Sequence, residues 1–187
     1  MPRRAPVAAP RLIALLRGIN VGKAKRVAMA DLRDLLERAG FFDVRTLLQS
    51  GNVVLSASGS TASLTAKMER AFETTLGFSS RFTVLPATEL DAIIADNPLP
   101  IAVTEPSRFL VGVLADASVR ERLTPLEASD WGDERIALGE RVAYVWCPRG
   151  QAESPLSEAV ARAARDRITT RNWATLTKLQ ALANARA

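Results

Sequence analysis

The same order of predicted secondary structure occurs twice along this 187-residue chain, once in each half. Short apolar runs bounded by charged residues or glycine predict strands, and apolar residues spaced three and four apart predict helices. In both halves these patterns follow one another as strand, helix, strand, strand, helix and strand. That order is the split βαβ, or ferredoxin-like, pattern. We therefore predict an α+β protein with two ferredoxin-like βαββαβ halves in tandem.

The segment Asn97-Pro98-Leu99-Pro100 marks the predicted division, because each proline disfavours a helical conformation at the residue before it. We place the first half at 11–97 and the second half, with a final helix, at 98–187. Residues 1–10 are interrupted by prolines and lack a long apolar stretch, so we predict a disordered tail and no secretion signal. The predicted strands are 12–16, 44–48, 53–55, 81–85, 109–114, 134–138, 141–147 and 167–170.

The residue types that are missing exclude several kinds of chemistry. The sequence has no histidine, which excludes histidine-based catalysis and most metal sites. The single cysteine, Cys147, excludes an internal disulfide and lies in an apolar run typical of a buried, inert thiol. No run reaches the ~18 apolar residues of a membrane helix. We predict a cytoplasmic protein without a cofactor, a metal or catalytic residues, and an enzyme is disfavoured.

A basic segment follows the first predicted strand and leads into the first helix. It contains the four cations Arg17, Lys23, Lys25 and Arg26 and no acidic residue. The glycines at 18 and 22 are too close together for a phosphate-binding P-loop, and the hydroxyl residue of that motif is missing. Backbone amides in such a loop could still hold an anion. The alternative is a basic loop that only faces solvent.

Polar side chains also surround the predicted turn between the second and third strands. Gln49-Ser50-Gly51-Asn52 is typical of turn chemistry, because Gly and Asn tolerate a positive φ. The alternative is that Asn20, Gln49, Ser50 and Asn52 contact a ligand. Ser50 has no histidine to activate it, so it is not predicted to be a nucleophile.

The segment before the last helix contains a cation in an unusual place. Asn172 is predicted to be the N-cap of that helix, and Arg171 then lies beside the positive end of the helix dipole. An acidic partner, either a carboxylate of the protein or a bound anion, is expected to compensate. We predict that Arg17, the loop at 18–26 and Arg171 lie on one connected surface. The carboxylates Asp130, Asp133 and Glu134 are expected in a solvated loop.

Several strings together resemble one bacterial family. They are Ala14-Leu15-Leu16-Arg17-Gly18-Ile19-Asn20-Val21-Gly22, Met29-Ala30-Asp31-Leu32-Arg33, Leu48-Gln49-Ser50-Gly51-Asn52-Val53-Val54 and Thr169-Thr170-Arg171-Asn172-Trp173. On these strings the chain resembles the family catalogued as domain of unknown function 1697. The resemblance implies a two-part α/β protein with ferredoxin-like halves, and it implies no established activity.

Three functions remain open at the level of the sequence. The first is a binding module for an anionic ligand, either a phosphorylated metabolite or a nucleic acid, at a basic cleft formed by the residues above. The second is a module for protein interaction or assembly. The third is an enzyme on a small anionic substrate that uses Arg and Lys as electrostatic stabilisers without histidine or a metal.

Overall fold

The computed structural model describes residues 9–20 and 26–185. Within these residues the chain forms eight strands and seven α-helices. None of these helices is long and apolar enough to cross a membrane. In chain order the elements are β1 (Arg11–Arg17), α1 (Met29–Arg38), β2 (Phe42–Leu47), β3 (Asn52–Ser56), α2 (Thr61–Leu76), β4 (Arg81–Pro86), α3 (Ala87–Ala95), α4 (Ile101–Thr104), β5 (Phe109–Leu114), α5 (Ala117–Glu127), β6 (Arg135–Leu138), β7 (Val142–Trp146), α6 (Pro155–Ala164), β8 (Ile168–Asn172) and α7 (Trp173–Asn184).

The first sheet has the order β2-β3-β1-β4, and all neighbouring strands are antiparallel. Leu12, Ala14 and Leu16 of β1 lie in one apolar core with the buried faces of α1 and α2. Side chains alternate along a strand, so the residues between them face the other side of the sheet. Ile13 and Leu15 on that side are also fully buried. Burial on both faces explains why β1 is a continuous apolar run.

The second sheet repeats this arrangement with the order β6-β7-β5-β8, again with antiparallel neighbours. Its core joins Leu110 and Val145 of the sheet to Val119 of α5 and Val160 of α6. The predicted order of elements and the α+β class, with two similar halves, are confirmed. The 3₁₀ turn at Gln151–Glu153 precedes α6.

The predicted helix starts follow from local chemistry. Ser154 is the N-cap of α6, with its hydroxyl accepting a hydrogen bond from the Ser157 amide at 2.9 Å, and Pro155 occupies the first turn. Asn172 is the N-cap of α7, with its Oδ1 accepting from the Thr175 amide at 2.9 Å. These hydrogen bonds confirm both predicted caps. In each, the Asn or Ser side chain satisfies an otherwise unpaired amide of the first helical turn.

The chain divides by packing into two compact units. One unit runs to Leu90 and takes in the chain from Leu179 onward, and the other is Asp91–Lys178. Within the first unit, Arg45 of β2 donates a hydrogen bond of 2.7 Å from Nη2 to the Leu182 carbonyl near the end of α7. A cation at this end of a helix satisfies carbonyl groups that lack partners. The predicted halves 11–97 and 98–187 divide the chain by element order, and that division stays a prediction.

Tyr144, the only tyrosine of the sequence, offers a direct test of the second unit. Its hydroxyl donates a 2.7 Å hydrogen bond to the Ile93 carbonyl. Burial, with a smaller effect of the Asp96 charge, raises the pKa of Tyr144 to about 12. We expect the phenolate absorbance of the folded protein to appear with a midpoint near pH 12. In the denatured chain the midpoint should lie near pH 10.

The same shift makes the stability of the unit depend on pH. Below about pH 10 the phenol is neutral in both states, whereas between about pH 10 and 12 the unfolded chain loses the proton first. The free energy of unfolding is therefore expected to fall as the pH rises through this window, and Tyr144→Phe should lack that part of the fall. A native titration near the ordinary tyrosine value would contradict this account.

Candidate functional site

The side-chain amide of Asn20 joins the basic segment to the turn between β2 and β3. Its Nδ2 donates to the Gln49 carbonyl at 2.6 Å and to the Val27 carbonyl at 3.0 Å. Its Oδ1 accepts from the Val27 amide at 2.8 Å. Asn20 itself has a φ of 56°, a left-handed conformation that Asn tolerates better than most residues. We call the meeting point of residues 20, 26–28 and 48–51 the Asn20 junction.

Gly51 seats the turn against the end of β1. Its carbonyl accepts a 2.8 Å hydrogen bond from the Leu16 amide, and its φ is 74°. A Cβ at this position would lie 2.7 Å from the Leu16 Cβ and 2.8 Å from the Ile19 Cδ1. Only glycine meets both conditions, a positive φ and this close approach. The Gly-Asn pair therefore has a structural role in fixing the junction.

Asn52 supports the turn from inside the fold. It is the first residue of β3 and is fully buried, and its Nδ2 donates to the Leu47 carbonyl and to the Ser50 Oγ, each at 2.9 Å. These bonds hold the turn in shape and leave the Asn52 side chain away from solvent. Leu48, predicted at the end of the second strand, instead belongs to the turn and has a φ of 58°.

The outer side of the junction carries the accessible polar groups. Arg26, Gln49 and Ser50 are exposed. Helix α1 begins directly after Ala28, an N-cap residue whose side chain makes no capping hydrogen bond. The predicted site residues Lys23 and Lys25 lie outside the described residues. The structure thus brings Asn20, Arg26, Gln49 and Ser50 together, with Asn20 acting through its internal hydrogen bonds.

Arg17 lies at the end of β1, opposite Arg81 of β4. The preceding residue, Leu16, faces α1 and α2. Because side chains alternate along a strand, Arg17 points to the other face of the sheet. Its Nη1 is buried and has no hydrogen-bond acceptor among the described residues. Arg11 and Arg122 share this feature, so it does not by itself mark a site.

Arg171 and Asn172 belong to the second unit. Arg171 is half-buried on β8, opposite Val111, and its Nη1 donates to the Thr170 carbonyl at 2.9 Å among its interactions. Burial lowers the pKa of Arg171 to about 10. Asn172 uses its Oδ1 to cap α7. The prediction that Arg171 shares a surface with Arg17 and the basic loop stays a prediction.

The expectation that all three carboxylates at 130–134 lie in solvent is wrong for one of them. Asp130 and Asp133 are exposed, but Glu134 is only 2% exposed. Its Oε2 accepts a 2.9 Å hydrogen bond from the Leu156 amide in the first turn of α6. A carboxylate is favourable at this positive end of a helix. No local pattern predicts this, because the two residues are brought together only by the tertiary fold.

The single cysteine of the sequence lies in the same region. Cys147 is fully buried, as predicted. Burial raises the pKa of the Cys147 thiol; a hydrogen bond with Ser154 lowers it, and the charge of Glu134 raises it further. Because the thiolate is the reactive form, this environment disfavours a nucleophilic role.

The fold defines a mixed α/β protein of two similar halves, each built on a four-stranded antiparallel sheet. A family model for proteins of unknown function, DUF1697, matches residues 10–144. The chain belongs to this family. It is also similar in fold to a conserved bacterial protein, SP0830 from Streptococcus pneumoniae, with a TM-score of 0.75 and 23% identity over 95% of this chain and 100% of that chain. A comparison with curated proteins gave no match.

Proposed function

We propose that this protein is a binding module of the cytoplasm whose ligand is anionic, either a phosphorylated small molecule or a nucleic acid, and that the Asn20 junction binds it. The observation that carries the proposal is the set of three hydrogen bonds made by the Asn20 amide. They join Asn20 to Val27, directly after the last cation of the basic segment, and to the exposed polar turn at Gln49. A site whose parts are held in advance loses less entropy on binding.

The charge of this region favours an anion. Residues 17–26 contain four cations and no acidic residue, and Arg26 is exposed at the junction. The first turn of α1 follows within three residues and carries no side-chain cap, so its amides and dipole add a positive potential. Asp31 in the same turn offsets part of that potential. In the sequence, residues 17–26 carry four cations against this one carboxylate, which supports the anionic ligand.

Titration calorimetry of the full chain with inorganic pyrophosphate tests the proposal. We expect saturable binding at low salt that weakens between about 50 mM and about 200 mM salt, because the contacts are largely electrostatic. Arg26→Ala should weaken binding about fivefold, the loss of one exposed charge-assisted contact.

Arg38→Ala is the matched control. Arg38 is also exposed, but it lies in the last turn of the ten-residue helix α1, about 15 Å from its start. The Arg38→Ala variant loses the same charge as Arg26→Ala and should leave the affinity for pyrophosphate nearly unchanged. Equal losses of affinity in the two variants would show that only the net charge of the protein matters. Absent binding at low salt, or binding that ignores salt, would remove the anion site.

A further inference from the structure

The turn of the Asn20 junction presents a large apolar side chain to solvent. Leu48 is 50% exposed, and among the described residues the only other exposed large hydrophobic residue is Val103. Leu48 also has a φ of 58°, a conformation that is unfavourable for a leucine. A relaxed surface turn would carry Asn or Gly at this position.

The turn that carries Leu48 is fixed. The neighbouring Gln49 carbonyl accepts the 2.6 Å hydrogen bond from Asn20, and Gly51 is seated on Leu16. The side-chain amide of Gln49 is exposed and makes no hydrogen bond within the described part of the chain. The turn therefore exposes an apolar side chain and a carboxamide on consecutive residues. Arg26 directly precedes Val27, whose amide donates to the same Asn20 side chain that bonds Gln49.

We propose that the anion bound at this junction is a nucleoside phosphate, an inference that rests on the proposed function. The base would pack on Leu48, the Gln49 carboxamide would hydrogen-bond the edge of the base, and the phosphate would contact Arg26. A carboxamide can pair with the edge of adenine through two hydrogen bonds. Inorganic phosphate or a sugar phosphate would leave Leu48 in water. The same base and phosphate occur in a free nucleotide and in a single strand of nucleic acid.

The experiment compares three probes on the full chain by titration calorimetry: AMP, inorganic pyrophosphate and an eight-residue oligoadenylate. Leu48→Ser should weaken AMP binding about fivefold, because a half-exposed leucine loses its apolar contact with the base. Pyrophosphate has no base to pack on Leu48, so its affinity should fall less than that of AMP. Val103→Ser, at the other large hydrophobic residue exposed among the described residues, should change neither affinity. Circular dichroism of both variants would check that they fold.

Each outcome separates this inference from the proposed function. If pyrophosphate binds and the Leu48→Ser change leaves AMP affinity intact, the nucleoside is wrong and the anion site stands. If neither AMP nor pyrophosphate binds, both proposals fail. Tighter binding of the oligoadenylate than of AMP, lost in Leu48→Ser, assigns the base to a nucleic acid strand. Equal or weaker oligoadenylate binding, with AMP sensitive to Leu48→Ser, assigns it to a free nucleotide.

Discussion

Replacing Gly51 with alanine is expected to lower the free energy of unfolding by about 3 kcal/mol or more, because two costs add. The first is the positive φ of 74°, which disfavours any residue with a Cβ. The second is steric, since the new Cβ would lie 2.7 Å from the Leu16 Cβ. Leu16 is in the core of the first unit and has little room to move. Equilibrium denaturation with urea measures the change.

Gly77→Ala provides a matched control for the backbone cost alone. Gly77 ends α2 with a φ of 75°, and a Cβ there would meet no atom within 4 Å. It should cost about 1 kcal/mol. The excess loss in Gly51→Ala then measures the close packing of the turn against β1. Equal losses of stability at the two glycines would contradict the close packing of Gly51 against β1.

Replacing Asn20 with alanine is expected to cost about 2–4 kcal/mol, since the change removes three hydrogen bonds and places alanine at a positive φ. The Val27 amide and the Gln49 carbonyl would lose their partner at the same time. Because the Asn20 amide also fixes the junction, we expect anion affinity to fall in the same variant. Urea denaturation gives the loss of stability, and titration with pyrophosphate gives the loss of affinity.

Asn20→Gly separates the two contributions to that cost. Glycine accepts the φ of 56° without strain, so this variant should be about 1 kcal/mol more stable than Asn20→Ala. It lacks the same hydrogen bonds and should lose the same affinity. If Asn20→Ala has wild-type stability and affinity, then Asn20 does not hold the basic segment to the turn.

The sequence predicted what depends on neighbouring residues. The apolar run of β1, the Ser154-Pro155 helix start and the Asn172 cap are local signals, and the structure confirms them. The Gly51-Asn52 pair correctly indicated a turn between two strands. The backbone conformation of the turn was not predictable from these residue types. Asn52 belongs to β3 and pairs with Leu47 of β2, and Leu48 takes a positive φ instead.

What the sequence missed depends on contacts between distant residues. Glu134 is a charged residue in a polar stretch, and only the approach of α6, 22 residues later, makes it a buried cap. Arg45 bonds the end of α7, 137 residues away, so the packing of that helix end could not be anticipated either. The candidate site shows both kinds of outcome. Its cations and polar turn are visible in the sequence, whereas the hydrogen bond from Asn20 to Gln49 joins residues 29 positions apart.

The most direct test of the anion site is to locate the bound anion by NMR. Backbone amide signals of the ¹⁵N-labelled full chain would be followed during titration with inorganic pyrophosphate at low salt. The account predicts saturable shifts that are largest at residues 26–31 and 48–51, and that shrink when salt is added. Largest shifts confined to other parts of the chain, or no saturable shift at all, would contradict it.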